Sequence, residues 1–181
     1  LVEKSLPSPE LLQYIMQRAN TSQLMSFHQP FLNQSAQYFP HSDILLGKPL
    51  PIGAAHRFYQ SHTGHFDPSR QLQWLIDTPE RVVQYGELAH ALGISMRINI
   101  ELDIGLHRGG VANTVDLNAI LDKISQNPAL QFSGLMGYEP HVAMLPRVFG
   151  TPKHLLKQAM ARYATFTQHI QQYFPKLWHE S

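Results

Sequence analysis

Two short segments of this 181-residue chain combine glycine with charged or aromatic side chains in a way that suits ligand binding. Residues 103–110 read Asp-Ile-Gly-Leu-His-Arg-Gly-Gly, and residues 137–141 read Gly-Tyr-Glu-Pro-His. The glycines permit tight turns and a close approach of the backbone to a ligand. Arg108 would present a cationic fork, which suits a carboxylate or a phosphate. Taken alone, Arg108 and His141 are also typical of solvated or packed loop residues.

Other candidate residues are a lysine, two histidines and a pair of carboxylates. Lys4 follows a short apolar start, and its spacing alone is also explained by a solvated lysine at a strand edge. His62 and His65 share a polar loop without a nearby carboxylate pair or a third histidine, so a metal site is not favoured. Glu101 and Asp103 share a face at strand spacing and could serve acid–base chemistry, although the sequence reveals no partner for them.

These residues must be positioned by an alternation of short apolar runs and helix-length amphipathic stretches. No hairpin signal joins neighbouring strands, so the pattern indicates parallel strands with helical crossovers. After Leu1-Val2, strands are predicted over 23–27, 43–46, 72–76, 95–102 and 130–136. Helices are predicted over 8–20, 30–38, 53–60, 79–92, 115–126 and 151–174, and a loop over 61–70.

The alternation predicts an α/β fold of the (β/α)8 TIM-barrel type, with about six of the eight strand–helix units in this chain. A complete barrel needs roughly 250 residues. An open doubly wound sheet is the alternative architecture. In either fold, groups that follow the strands collect on one face, and these include Lys4, Lys48, Asp77 and Arg108.

The composition indicates one globular domain and excludes several classes of protein. Hydrophobic residues make up 43% and charged residues 15% of the chain. The net charge is +1 without a basic run, so neither nucleic acid nor a membrane surface is a predicted partner. Cysteine is absent, which excludes disulfides and thiolate chemistry. We expect a cytoplasmic enzyme and, because the chain starts on Leu1 and lacks a closing element, a piece of a longer protein.

Several segments resemble one family of enzymes. Residues 98–111, INIELDIGLHRGGV, and residues 132–141, FSGLMGYEPH, resemble a strand and loop of D-threonine aldolase and D-serine dehydratase-like proteins. These proteins belong to the alanine racemase, or fold type III, family of pyridoxal-phosphate enzymes. Residues 43–49 resemble an earlier strand of that family, and residues 1–12 resemble the segment that holds the cofactor lysine.

The resemblance implies roles for four residues and an activity. Lys4 matches the catalytic lysine that forms a Schiff base with pyridoxal 5′-phosphate. Arg108 matches the arginine that contacts the cofactor ring or its phenolic oxygen. Tyr138 and His141 match positions beside the ring. The implied activity is that of a lyase or racemase acting on a D-amino acid, most like an aldolase or dehydratase; the alternative is a non-catalytic, single-domain protein of pyridoxal-phosphate homeostasis.

Parts of the family pattern are not found in residues 1–181. The family barrel has a strand and helix before the lysine strand, and a Gly-Ser-Thr-rich turn that binds the phosphate. It is followed by a β-rich domain that supplies divalent-metal ligands in the aldolases and dehydratases. We therefore expect residues 1–181 to be an incomplete N-terminal barrel domain, inactive by itself and homodimeric when full length.

Overall fold

Six parallel strands pair side by side in the order in which they occur along the chain. The computed structural model describes residues 2–3, as backbone only, 8–144 and 150–179. The strands are β1 (Val2–Glu3), β2 (Gln23–Ser26), β3 (Asp43–Leu46), β4 (Leu72–Ile76), β5 (Met96–Leu102) and β6 (Leu130–Gly137). This sequential order is that of a (β/α) barrel. It excludes the doubly wound alternative, in which the strand order reverses at a switch point.

The helices connect the strands and begin and end at residues suited to those positions. They are α1 (Pro9–Ala19), α2 (Gln29–Tyr38), α3 (Ile52–Ser61), α4 (Pro68–Gln71), α5 (Pro79–Leu92), α6 (Thr114–Ser125), α7 (His141–Met144), α8 (Pro152–Tyr173) and α9 (Pro175–His179). The side chains of Ser8, Thr78 and Asn113 accept hydrogen bonds from backbone N–H groups in the first turns of α1, α5 and α6. Gly93 ends α5 with a φ of 64°.

One face of the sheet packs against the helices and forms the main core. Trp74 on β4 is fully buried, and its ring lies 5.4 Å from that of Tyr85 on α5 and 6.0 Å from that of Phe58 on α3. On β5, Ile98 and Ile100 are fully buried as well. Side chains alternate along a strand, so the intervening residues of each strand face the opposite, concave side of the sheet.

The concave side carries a polar network near the amino ends of the strands. Gln73 Nε2 donates to Asp43 Oδ2 over 2.9 Å, and Asn99 Nδ2 donates to Gln73 Oε1 over 3.1 Å. Arg97 forms an ion pair of 3.0 Å with Asp43. Ser133 Oγ donates to the same Gln73 oxygen at 3.4 Å. The network therefore connects four neighbouring strands on the inner face of the barrel.

A β-bulge sets which side chains of β6 face the concave side. Ile98 pairs with Phe132, whereas Asn99 pairs with Gly134, so β6 carries one extra residue at this point. Gly134 has a φ of +141°, a conformation that favours glycine. Because of the bulge, Met136 lies opposite Glu101 in the register.

Most predicted elements are confirmed within one or two residues, and β3, β4 and α5 match their predicted ranges. The predicted loop over 61–70 is wrong at its end, because Asp67 caps the short helix α4. The short helices α7 and α9 were not predicted. Within the described residues, no helix combines the length and apolar character needed to cross a lipid bilayer.

Candidate active site

A cleft of about 580 Å³ opens where β2 to β6 end. Its apolar wall is formed by Met25, Phe27 and Met136. Its charged side chains come from different strand ends and loops: Lys48 after β3, Asp77 after β4, Glu101 on β5, Arg108 in the loop after β5 and Glu139 after β6. The carboxyl ends of parallel strands therefore place both signs of charge around one cavity, as expected for an active site of this architecture.

The loop that carries Arg108 is held in place by the carboxylate of Asp103. One carboxylate oxygen, Oδ1, accepts hydrogen bonds from the backbone N–H groups of Gly105 and His107, each at 3.0 Å. The other oxygen lies 2.7 Å from His107 Nδ1. His107 has a φ of 56°, which is unusual for a residue other than glycine, and these contacts hold it in that conformation.

The same loop folds back onto β5 and is supported from α8. The N–H of Val111 donates to Glu101 O at 2.8 Å, and the N–H of Asp103 donates to Val111 O at 3.0 Å. Arg162 on α8 donates from Nε to Asp103 O and from Nη2 to Ala112 O, at 3.0 and 3.2 Å. The two ends of the loop are thus fixed, and this restricts where Arg108 can lie.

The stability of this loop should depend on pH. Burial acts to raise the pKa of Asp103, but the hydrogen bonds from His107 and Gly105 and the charge of His107 act against it, and the net pKa is lowered. A folded-state pKa below the unfolded value, about 3.9, gives stability that is present above that value and lost as pH falls through the folded pKa. We expect the melting temperature of the Asp103→Asn variant to fall less steeply than that of the wild type as pH is lowered from 5 to 2, as measured by circular dichroism. Parallel curves for the two proteins would contradict this expectation.

Arg108 is held over an aromatic ring. Its guanidinium carbon lies 4.7 Å from the centroid of the Tyr138 ring, and both side chains are exposed at the cleft. A cation–π contact at an exposed site contributes about 0.5–1 kcal/mol. The contact orients the guanidinium without using its N–H groups, and within the described part of the chain these are available to bind an anionic oxygen of a ligand.

Two carboxylates lie side by side in the cleft. Ile76 on β4 pairs with Ile100 on β5. Asp77, directly after β4, and Glu101 on β5 therefore follow as neighbours across the two strands. Glu101 is only 7% exposed. Burial raises the pKa of the Glu101 carboxyl, the charge of Asp77 raises it further, and Arg108 lowers it. The sequence had suggested Glu101 and Asp103 as a pair. The structure instead places Asp103 in the loop and brings Asp77 beside Glu101.

Of the residues singled out by the resemblance, Arg108 and Tyr138 lie together in the cleft. His141 lines a second cavity of about 520 Å³, between the 103–107 loop and α8. It is 8% exposed, and its Nδ1 has no hydrogen-bond partner among the residues that the structure describes. Lys4 lies outside the described residues. The cofactor-binding roles of these residues stay predictions.

The sequence predicted that Lys48 and Asp77 collect on the same face as Arg108, but it did not reveal that the three side chains line one cavity. Both follow predicted strands, and this was the available signal, but which strand ends are neighbours depends on the strand order. His62, by contrast, has a structural explanation: it stacks on Phe58 at 5.3 Å, and its Nε2 lies 2.8 Å from Phe66 O.

Comparison with known proteins identifies a family match. The family model described as "Alanine racemase, N-terminal domain" matches residues 55–180 of the chain. Among curated proteins, none matches the sequence.

Solved structures share the fold at low sequence identity. An alanine racemase from Clostridium difficile 630 has a TM-score of 0.70 and 12% identity, over 90% of this chain and 41% of its own. A histidine racemase from Leuconostoc mesenteroides has a TM-score of 0.72 and 16% identity, over 92% of this chain and 41% of its own. A D-threonine aldolase from Filomicrobium marinum has a TM-score of 0.62 and 15% identity, over 78% of this chain and 37% of its own. The chain thus spans about two fifths of the length of these proteins.

Proposed function

Because the chain belongs to the alanine racemase N-terminal domain family, we propose that it is the cofactor-binding barrel of a pyridoxal-phosphate enzyme that acts on a D-amino acid. Enzymes of this family use pyridoxal phosphate. The observation that carries the proposal is the cleft at the strand ends, with Arg108 oriented over Tyr138 beside two carboxylates.

The residues of the cleft fit this cofactor. The pyridoxal ring is flat and mostly apolar, and the cleft offers the apolar side chains of Phe27 and Met136. The ring also carries an anionic oxygen, which suits the planar donor fork of Arg108. A Cβ on Gly47 would come within 2.9 Å of Met25 Sδ and closer still to the Phe27 ring, so glycine keeps this wall free of a side chain.

Each cleft residue then has a defined task. When bound, pyridoxal phosphate supplies an electron sink for the substrate's Cα bonds. We propose that Lys4 provides the covalent attachment and exchanges a proton with the substrate. Arg108 would bind the ring oxygen. The Tyr138 ring and the loop stabilised by Asp103 hold the Arg108 side chain in place. Lys48, exposed in the same cleft, offers a cation for the substrate carboxylate.

Within this class we favour cleavage of a β-hydroxy D-amino acid over racemisation. Support comes from the sequence of the 98–111 and 132–141 segments, which resemble aldolases and dehydratases. The two carboxyl groups beside Arg108 are consistent with this choice, because breaking a C–C or C–O bond next to a hydroxyl requires a proton acceptor or donor at that oxygen.

A panel of D-amino acids tests the proposal. The natural protein that contains residues 1–181 is loaded with pyridoxal phosphate and incubated with D-threonine, D-serine and D-alanine. We expect glycine and acetaldehyde from D-threonine, or pyruvate and ammonia from D-serine. Formation of the L-enantiomer without cleavage products would assign a racemase instead.

Binding without turnover is the result that would overturn the enzymatic proposal. If the protein retains pyridoxal phosphate but converts none of the three amino acids, with or without added divalent metal, it would fit the non-catalytic alternative. Loss of the cofactor on gel filtration would contradict both functions.

A further inference from the structure

Glu101 is a buried residue whose side chain lines the cleft, and no side-chain hydrogen bond to its carboxyl group is found among the described residues. The residue is 7% exposed, and its side chain lines the cleft. Within residues 2–3, 8–144 and 150–179, the influences on its carboxyl are burial and the charges of neighbouring groups, with no hydrogen bond among them. An ionised carboxylate in such a place is costly unless it gains a proton or a ligand donor.

A second carboxyl group, that of Asp77, comes from the end of the neighbouring strand. Asp77 follows Ile76, whose register partner is Ile100, the residue before Glu101. Both carboxyls line the same cleft. Two adjacent carboxylates repel each other, so the pair lowers its free energy by binding a single proton.

The other charged and titratable groups around the pair come from every strand end that borders the cleft. Arg108 and Asp103 act electrostatically on Glu101 from the loop after β5. Among the described residues, the remaining ones lie after β2, β3 and β6 and are His28, Lys48, Tyr138 and Glu139. In the described part of the chain, Arg108 is the cation that acts on the Glu101 carboxyl, and it therefore favours the charged form once the proton has left.

We propose that Asp77 and Glu101 form a carboxyl pair in which Glu101 holds a proton, and that Glu101 is the acid that donates this proton to a ligand bound in the cleft. In the transfer, the O–H bond of Glu101 breaks and the proton moves to an oxygen or nitrogen of the ligand that supplies the electron pair. Glu101 is left as a carboxylate next to the positive charge of Arg108. Solvent reprotonates it through the open mouth of the cleft.

Electrostatics supports the choice of Glu101 as the member that holds the proton. Burial raises the pKa of its carboxyl above the ordinary value, and Asp77 adds to the increase. The titration of the Glu101 carboxyl therefore forms an upper step, above the ordinary range of a glutamate. The upper step is the one that the Glu101→Gln substitution should remove.

The carboxyl pair is tested without any cofactor, so the outcome of this test does not depend on the proposed function. The carboxyl C=O stretch of the protein is followed by infrared difference spectroscopy during a pH titration. We expect a carboxyl that titrates above about 4.3, the ordinary value for glutamate, in the wild type and not in Glu101→Gln. Glu139→Gln is the matched control, because it removes an exposed carboxyl from the rim of the same cleft and should keep the upper step.

Two further variants test the pair by the direction of the change. Asp77→Asn removes the neighbouring negative charge and should lower the midpoint of the Glu101 titration. Arg108→Gln removes the positive charge and should raise it. The carboxyl pair would be overturned if Glu101 titrated at or below the ordinary value in the wild type. It would also be overturned if the midpoints in the two variants did not move in these opposite directions.

Thermal stability gives a readout that also shows whether the variants fold. A carboxyl whose folded-state pKa is raised destabilises the protein as pH rises through the interval above its unfolded value. Glu101→Gln has no such group, so the melting temperature of the variant minus that of the wild type should increase from pH 4 to pH 7. A difference in melting temperature that stays constant over this interval would contradict the carboxyl pair.

The donor role rests on the proposed function and is tested in the amino-acid assay. Removing a general acid typically slows turnover by about 10²–10⁴-fold, and Glu101→Gln should also lose the decline of rate on the alkaline side. If Glu101→Gln turns over as fast as the wild type with the same pH profile, the donor role is wrong. If the wild type itself shows no turnover, the proposed function fails together with the donor role, while the titration still decides the carboxyl pair.

Discussion

In the Lys4→Ala variant, we expect no covalent attachment of pyridoxal phosphate and no measurable turnover. The physical reason is that an imine needs a primary amine, and the resemblance assigns that amine to Lys4. Borohydride reduction of the cofactor-loaded protein, followed by peptide mass spectrometry, should find the reduced cofactor on the Lys4 peptide in the wild type. The variant should carry none.

Lys48 provides the informative comparison, because it is a second lysine and lines the cleft. In Lys48→Ala, the cofactor should still be trapped on Lys4. A wild-type protein that carries the reduced cofactor on Lys48 would overturn the assignment of Lys4 and would move the covalent site to the end of β3.

A second large effect is expected at Gly110, where the loop after β5 returns to its strand. A Cβ at this position would lie 2.6 Å from Leu102 C and 2.7 Å from Asp103 N, both backbone atoms, and φ is +90°. The Gly110→Ala variant must therefore move the loop. Overpacking costs about 1–3 kcal/mol, and a positive φ adds about 1–2 kcal/mol for a residue with a Cβ. We expect a clearly lowered melting temperature and weaker binding of pyridoxal phosphate, because Arg108 is displaced.

Gly109 is the matched control for this prediction. No atom lies within 4 Å of a Cβ built there, and its φ is outside the left-handed region. Gly109→Ala should change the free energy of unfolding by no more than about 0.5 kcal/mol from the wild-type value. Equal losses in the two variants would indicate that the loop is sensitive to any side chain, and the steric argument for Gly110 would then fail.

The fold was predictable because its signals are local. Ser8, Thr78 and Asn113 are of residue types that favour helix N-caps, and they cap α1, α5 and α6, while Gly93 ends α5. The bulge at Gly134 was not predictable, since it depends on the pairing of two strands 35 residues apart in the chain. The short helix α4 was missed because a polar four-residue segment has no periodicity to detect.

The site was predictable in part. Arg108 and Tyr138 follow successive strands, so their meeting at one cleft agrees with the expectation that strand ends converge. The neighbour of Glu101 was assigned to Asp103 by strand spacing. That spacing says nothing about lateral contacts, and the register between β4 and β5 brings Asp77 there instead. His141 lines the second cavity, and its expected place beside the ring stays a prediction.

The sequential pairing of the strands has a consequence for how the chain folds during synthesis. Paired residues in the sheet are at most 35 positions apart, from Val2 with Met25 to Leu102 with Gly137. Such parallel pairings are non-local and form slowly compared with helices, but each strand pairs with the strand that precedes it in the chain. Each strand–helix unit that leaves the ribosome can therefore dock on the unit before it. Under this order of assembly, the cleft takes shape only when β5 and β6 have been added, because Glu101, Arg108 and Tyr138 come from these strands and the loops that follow them.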